Sequence, residues 1–343
     1  MSATYRPYLL LAVLLGLALI MSVAMGAVLV PPGSLARLFL SRLPGFTLSQ
    51  DWPETFAVIV FRIRLPHTAL VALTGAALAG SGAAYQGLFR NPLADPYLIG
   101  VASGAGLGAV LAMGSPISAT FLGLYTVPAA AFAGALVTVG LIYLMAKKGN
   151  LLPTPTLILA GVAVGSFASA LTSFLMLRSQ GELRRAMVWL LGSFSSSGWE
   201  PVWVALPYIV AGLGVLLLSG HALNVLQFGD EQAKQLGRPV ERVKFLLIAA
   251  ASLATAAAVS FSGIIGFVGL IVPHLARLLW GPDYRRLIPL SIIGGASTLL
   301  VADLLARLLL APETLPVGVI TALAGAPFFL WVLRRSQKVS HGW

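Results

Sequence analysis

The chain has 343 residues, of which 58% are hydrophobic and only 10% are charged, and its mean hydropathy is +0.92. This composition excludes an ordinary soluble globular protein and indicates a polytopic membrane protein. The formal net charge of +11 is then first a topology signal, and no nucleic acid partner is expected. Cysteine is absent, which excludes a disulfide framework and a thiolate metal site or nucleophile.

The first apolar runs predict membrane-spanning helices. Residues 8–30 follow Arg6 and form a run that is too long for a signal-peptide core of roughly 7 to 15 residues. Residues 31–60 have the proline and acid content of a loop outside the bilayer. The run 65–89 exceeds the ~20 residues that cross a hydrocarbon core. A polar turn at 90–96 separates this second span from a third, which begins at Tyr97.

Small residues in the second and third spans predict close helix packing. The second span carries Gly75, Gly80 and Gly82, and the third carries glycines at every fourth position from Gly100 to Gly108. Residues four apart lie on one helix face. Association in lipid depends on close backbone approach between small residues. Both helices are therefore expected inside the bundle.

Further apolar runs bring the prediction to ten spans in an all-α fold. They lie at about 119–146, 154–177, 201–219, 245–262, 264–280, 287–306 and 315–333. The apolar run 186–191 is too short to span and predicts a re-entrant or interfacial helix. A cytoplasmic N-terminus puts most Lys and Arg residues inside, every lysine among them, so both termini are expected in the cytoplasm. The shared plan of spans two and three and spans eight and nine favours an inverted repeat.

Ionisable residues are rare within the apolar runs. Asp303 and Arg307 are four apart near the outer end of the ninth span, where a functional charge pair and a structural salt bridge are alternatives. Arg64, His67 and Arg307 map to the outer mouth, either as a docking surface for an acidic partner or as side chains reaching the headgroups. A lone histidine such as His67 or His274 is more often a packing or hydrogen-bonding residue than a ligand. No metal site and no catalytic residue is predicted.

The most polar stretch lies between the sixth and seventh spans, at about 221–244. Asp230 and Glu231 suit the positive end of a short helix, and Gly237 is typical of its C-terminal cap. Such a helix either binds a partner or is a solvated connector. The chain contains no G-x-x-x-x-G-K-[ST] phosphate loop, so it is not expected to be a nucleotide-hydrolysing enzyme of that design.

Several sequence motifs, distributed over nearly the whole chain, resemble those of a known family. The family is the permease subunits of bacterial ABC importers for cobalamin, ferric siderophores and haem. The motifs are RIRLP (62–66), GAALAGSGAAYQGLFRNPLADPYLIGVASGAG (75–106), LILAGVAVG (157–165), GDEQAKQLG (229–237), GIIGFVGLIVPHLAR (263–277), ADLLARLLL (302–310) and LPVGVITALAGAPFFLWVL (315–333).

The resemblance implies a ten-helix permease of the vitamin-uptake type, with residues 1–343 forming a single transmembrane domain. It implies a homodimer in the bacterial cytoplasmic (inner) membrane, with two ATP-binding cassette subunits below and an extracytoplasmic substrate-binding protein above. The ATPase partner uses ATP and magnesium, and the permease itself binds no cofactor. Segment 221–244 then provides the coupling helices that fit a cleft on the ATPase.

The resemblance also implies roles for individual residues. Arg64 and Arg307 match positions that receive glutamates of the binding protein, whereas His67 replaces an arginine of many relatives. A cytoplasmic gate matches Asn91 and Leu93 in the turn after span two, and Thr154 at the start of span five. Contact with the ATPase is expected from Gly229, Asp230, Glu231, Ala233, Leu236 and Gly237.

The predicted function is ATP-driven import of a bulky metal chelate by alternating access, with the identity of the chelate left open. An ion-coupled secondary transporter would need acidic or sodium-binding groups at mid-membrane. A passive channel would need a ring of carbonyls or charges. Neither pattern is evident, and neither explains the helical segment at 221–244.

Overall fold

The computed structural model describes residues 5–42, 52–116, 123–178, 181–194, 196 and 198–340, and these are overwhelmingly helical. The first eight helices are α1 Arg6–Ala24, α2 Pro32–Leu40, α3 Glu54–Val58, α4 Leu65–Leu88, α5 Val101–Met113, α6 Gly123–Ala146, α7 Thr154–Arg178 and α8 Leu183–Leu190. The others are α9 Glu200–Leu218, α10 Gly220–Leu226, α11 Asp230–Gln235, α12 Val240–Ser262, α13 Val268–Trp280, α14 Tyr284–Leu309 and α15 Val317–Ser340. A π-helical turn, Ile59–Arg64, leads into α4, and a 3₁₀ turn, Pro96–Ile99, leads into α5.

The apolar helices correspond one to one with the ten predicted spans. Within the described residues, seven helical stretches are long and apolar enough to cross a membrane, and they contain α1, α4, α6, α7, α9, α12 and α14. Three shorter apolar helices, α5, α13 and the described apolar part of α15, complete the set. The predicted short helix near 186–191 is α8, which has eight residues. The all-α polytopic prediction is confirmed.

The predicted loop over 31–60 is wrong in its described part, because it contains α2, α3 and the π-helical turn. Proline favours a loop by composition, but Pro32 is the first residue of α2, a position that suits proline because no N–H partner is needed there. Leu35 and Leu38 of α2 then bury themselves against Val23 and Val60 in a small apolar cluster. Residues 43–51 lie outside the described part of the chain.

Glycines bring the central helices into backbone contact, as predicted. A Cβ built on Gly75 of α4 would overlap the carbonyl oxygen of Gly295 in α14, and the reverse substitution would overlap Gly75. Gly104 of α5 and Gly134 of α6 face each other in the same way. Almost all of α4 between residues 74 and 88 is buried. The small-residue faces therefore place α4 at the centre of the bundle.

Helix α14 separates two polar ends of the molecule. With 26 residues it is about 39 Å long at 1.5 Å per residue. At its C-terminal end Arg307 lies near Arg64 and the end of α1, and we call this the arginine end. At its N-terminal end Tyr284 contacts Asn224 of α10, and we call this the helical-loop end. The two candidate functional regions lie at these opposite ends.

Candidate functional site

Asp303 is the centre of a buried polar network at the arginine end. Its carboxylate accepts a hydrogen bond from Nε of Arg307 at 2.9 Å, one helical turn away. Its other oxygen lies 2.9 Å from Nε2 of His67 on α4. The side chain of Asp303 is 3% exposed. Of the two alternatives for the Asp303–Arg307 pair, the structure contains the salt bridge, and it adds a histidine from a second helix.

The two arginines of this network hold the end of α1. The guanidinium of Arg64 donates to the carbonyl oxygens of Val23 and Ala24 at 2.8 and 2.9 Å, and also to that of Val28. Arg307 donates to the carbonyl of Met25 at 3.1 Å. The carbonyls at a helix C-terminus lack intrahelical partners, and the two arginines bind carbonyls at the end of α1 and just beyond it.

The three residues predicted to dock a binding protein therefore lie together, but their charged groups are engaged internally. Arg64 is buried, with 7% of its surface exposed, and the side chain of Arg307 is 15% exposed. His67 is the most accessible, with a side chain that is 22% exposed. A direct ion pair between Arg64 and a partner would require Arg64 to release the carbonyls at the end of α1.

The predicted gate residues lie in two separate segments, the turn after α4 and the start of α7. Asn91 is exposed, and its side-chain oxygen accepts a hydrogen bond from the amide of Leu93 at 3.0 Å. Further along the same turn, Asp95 caps the 3₁₀ turn by accepting from the amide of Tyr97 at 2.8 Å. Burial raises the pKa of Asp95 to about 6. Thr154 is half-buried at the first position of α7.

Helix α10 is fixed to the bundle by side-chain amides. Asn224 donates to the carboxylate of Asp283 at 2.6 Å and accepts from the amide of Tyr284 at 2.8 Å. Gln227 donates to the carbonyl of Gly87, near the end of α4, at 2.9 Å. Hydrogen bonds from Arg285 and Asn224 hold the pKa of Asp283 well below its usual value. The 221–244 segment is consequently attached to the ends of α4 and α14.

Helix α11 has the predicted boundaries and two distinct faces. Gly229, at φ +105°, precedes its first residue, and Gly237, at φ +76°, follows it as the predicted cap. Ala233 is fully buried, and Asp230 pairs with Lys244 of α12. Leu236 is 65% exposed. Of the six predicted coupling residues, Gly229 and Ala233 are buried and Asp230 is half-buried, while Glu231, Leu236 and Gly237 are exposed.

Sequence analysis missed a second exposed apolar side chain in the 221–244 segment. Phe228 lies between α10 and α11 and is 69% exposed. An aromatic residue within the most polar segment of the chain could have been singled out from the sequence. Phe228 and Leu236 are two largely exposed apolar side chains of the helical-loop end.

Sequence analysis also missed two charged residues that hold the chain just before α7. Glu241 accepts a hydrogen bond from the amide of Leu152 at 3.0 Å. Lys244 donates to the carbonyl of the same residue at 3.2 Å. Their spacing of three residues at the start of α12 was a sign that they share a face. Their common partner is about ninety residues away in the chain and could not be deduced from spacing.

The histidine and acidic side chains were also compared with the requirements of a metal site. Among the side chains that the structure describes, no group of three or more His, Asp and Glu residues could hold a metal ion. His67 is committed to Asp303. His274 lies on α13, far along the chain from His67.

In the part of the chain that the structure describes, a helical bundle with seven helices long and apolar enough to span a membrane defines a polytopic membrane protein. The chain matches the FecCD transport family over residues 13–335. It belongs to that family.

Named relatives agree with this membership. The chain is 53% identical over 282 residues to the cobalamin import system permease protein BtuC of Halobacterium salinarum, covering 82% of this chain and 75% of that one. It is 42% identical over 288 residues to the hemin transport system permease protein HmuU of Yersinia pestis, covering 83% and 85%. A solved metal-chelate type ABC transporter in an inward-facing conformation superposes with a TM-score of 0.81 at 31% identity, covering 95% and 98%.

Proposed function

We propose that the chain is the membrane-spanning permease subunit of an ATP-driven importer for a bulky metal chelate. The observation that carries the proposal is the family match, which extends over residues 13–335 and so covers all or part of each helix from α1 to α15. The sequence has no G-x-x-x-x-G-K-[ST] motif, which is consistent with hydrolysis of ATP by a separate subunit. Residues 1–343 act as one transmembrane domain.

The helical-loop end is proposed to face the cytoplasm and to bind the ATPase. The side chains of Phe228 and Leu236 are 69% and 65% exposed on a surface outside the apolar helices, and covering them with a partner would remove apolar area from water. The hydrogen bonds of Asn224 and Gln227 attach this surface to the ends of α14 and α4. Force applied at Phe228 and Leu236 would therefore reach the bundle centre.

A second copy of the chain is proposed to complete the pathway, which makes the unit a homodimer. An extracytoplasmic binding protein would dock at the arginine end, where His67 is the most accessible of the three predicted residues. In this orientation both termini are cytoplasmic. The turn at Asn91 and Leu93 and the start of α7 at Thr154 provide the cytoplasmic gate.

The cargo is proposed to be cobalamin, haem or a ferric chelate, because the relatives with assigned cargoes have names that refer to cobalamin, hemin and ferric citrate. All three are large and carry a metal already bound within an organic ligand. The permease therefore needs a wide passage rather than metal ligands of its own.

ATP hydrolysis by the complex in lipid tests the proposal. The purified chain is combined with its ATPase and its binding protein, and hydrolysis and uptake are measured with cobalamin, haem or a ferric siderophore loaded on the binding protein. Stimulation by one loaded form, with uptake that requires ATP, is expected. Uptake driven by a proton or sodium gradient without ATP would instead support an ion-coupled secondary transporter.

A further inference from the structure

One residue of the α6–α7 connection has both of its backbone polar groups held by side chains of α12. The amide of Leu152 donates to Glu241 at 3.0 Å, and the carbonyl of Leu152 accepts from Lys244 at 3.2 Å. Leu152 is 4% exposed. Hydrogen bonds to a charged group are stronger than neutral ones, so two of them on one residue attach this segment to the start of α12.

The same two side chains also pair with α11. Lys244 forms an ion pair with Asp230, the first residue of α11. Glu241 lies 3.9 Å from the ammonium of Lys234, one turn further along that helix. The ammonium of Lys244 is buried, with a side chain that is only 3% exposed. The carboxylate of Asp230, whose side chain is 38% exposed, lies 2.5 Å from the ammonium of Lys244, so the Lys244 contact is the closer of the two links.

The segment held in this way leads directly into α7. Leu152 is followed by Pro153 and by Thr154, the first residue of α7. The chain before it is closed by a tight turn in which Lys148 and Leu151 exchange backbone hydrogen bonds at 2.9 and 3.0 Å. A proline next to a closed turn leaves few free dihedral angles. A displacement of Leu152 must therefore reach the start of α7.

We propose that Glu241 and Lys244 are positioning residues that carry the displacement of α11 to the start of α7 through the main chain of Leu152. The inference rests on the proposed function, in which α11 contacts the ATPase. Asp230 and Lys234 receive the movement, Lys244 and Glu241 transmit it, and Thr154 moves with it. Coupling of this kind requires one rigid element that both sites bias.

The first test compares transport with hydrolysis in the reconstituted complex of permease, ATPase and loaded binding protein. In Lys244→Met, transport per ATP hydrolysed is expected to fall about tenfold, within the usual range of coupling between sites, while hydrolysis continues. Glu241→Ala should act in the same direction, and it serves if Lys244→Met does not fold. The double variant should be no worse than the more severe single one, because both act through Leu152.

A matched control and a charge swap separate transmission from simple attachment. Lys147→Met removes an exposed lysine from the same connection and should leave transport per ATP unchanged. The swap Asp230→Lys with Lys244→Asp rebuilds the ion pair between α11 and α12, but it leaves the carbonyl of Leu152 without a donor. The swapped complex should therefore remain uncoupled, whereas recovery of transport would overturn the role of Leu152.

A distance measurement provides a readout that does not depend on the cargo. The chain has no cysteine, so a spin label at Leu151→Cys is unique, and Leu151 is 52% exposed. The distance between the two labels of the dimer should change on ATP binding in the otherwise unaltered complex. This change in distance should become at least about twofold smaller when Lys244→Met is added, because weaker coupling between the two sites shifts fewer molecules.

We call the proposed transmission from α11 through Leu152 to α7 the relay. Failure of the relay and failure of the proposed function give different results. If the unaltered complex transports with ATP, but both variants show the same transport per ATP and the same change in label distance, the relay is wrong. A proportional loss of hydrolysis and transport in both variants would also overturn it, because that pattern indicates lost ATPase binding. If the unaltered complex shows no ATP-stimulated transport of cobalamin, haem or a ferric siderophore and no displacement, the proposed function fails and the relay fails with it.

Discussion

Nε2 of His67 on α4 lies 2.9 Å from a carboxylate oxygen of Asp303 on α14. The second oxygen of Asp303 binds Arg307, which in turn reaches the end of α1. A single buried acid thus joins three helices at the arginine end. Its removal is a direct test of what holds this end together.

Asp303→Ala should lower the stability of the solubilised protein by about 3 kcal/mol, because breaking a buried pair leaves an uncompensated buried charge on Arg307. The measurement is the thermal unfolding midpoint in detergent or nanodiscs. Glu313→Ala removes an exposed acid a few residues beyond α14 and should shift the midpoint little. Equal shifts for the two variants would mean that the network does not stabilise this end.

Gly75→Ala should destabilise the bundle by roughly 1 to 3 kcal/mol, the usual range for overpacking. The added Cβ would overlap the carbonyl of Gly295 and would lie 2.8 Å from Cβ of Leu299. Gly140→Ala is the matched control, since a Cβ on Gly140 of α6 meets nothing within 4 Å. The control should be neutral or slightly stabilising because alanine favours the helix. Unfolding midpoints that change in the same direction would contradict the packing argument.

Leu236→Asp should weaken binding of the ATPase subunit about tenfold to hundredfold. A leucine that becomes buried in an interface contributes roughly 1.5 to 3 kcal/mol of apolar transfer, and Leu236 is 65% exposed in the isolated chain. The dissociation constant of the purified pair in nanodiscs provides the measurement. Leu236→Met keeps the apolar area and should keep the affinity. Loss of affinity in both variants would instead indicate a distorted loop.

Asp95→Asn should change the dependence of stability on pH between about pH 4 and pH 6. The folded pKa of Asp95 is about 6, above its ordinary value of 3.8. In this window the unfolded chain has released the proton while the folded chain still binds it, so stability falls as pH rises. Asparagine cannot titrate, and the variant should lose this part of the slope. Thermal unfolding midpoints at pH 4.5, 5.5 and 7 measure the difference between Asp95→Asn and the parent. Glu313→Gln is the exposed control. The same dependence of the midpoint on pH in Asp95→Asn and the parent would contradict a raised pKa of Asp95.

The sequence by itself determined the features that depend on composition and short-range periodicity. The ten apolar segments follow from the length of hydrocarbon that a helix must cross. The position of α4 inside the bundle follows from its small residues, Gly75 among them. The limits of α11 follow from the acids at its start and from Gly237 at its end. The separation of four residues between Asp303 and Arg307 allows a salt bridge, which was one of the two alternatives for this pair.

Only the tertiary structure decided which partners distant residues have. Arg64 was expected at an open docking surface, but α1 ends beside it, and three carbonyls without helix partners bind its guanidinium. Lys244 belonged to a segment interpreted as polar and exposed, yet it is buried between Asp230 and Leu152. The energy of a buried charge depends on what the fold places within about 4 Å of it. Helix packing sets those neighbours, and spacing along the chain does not record them.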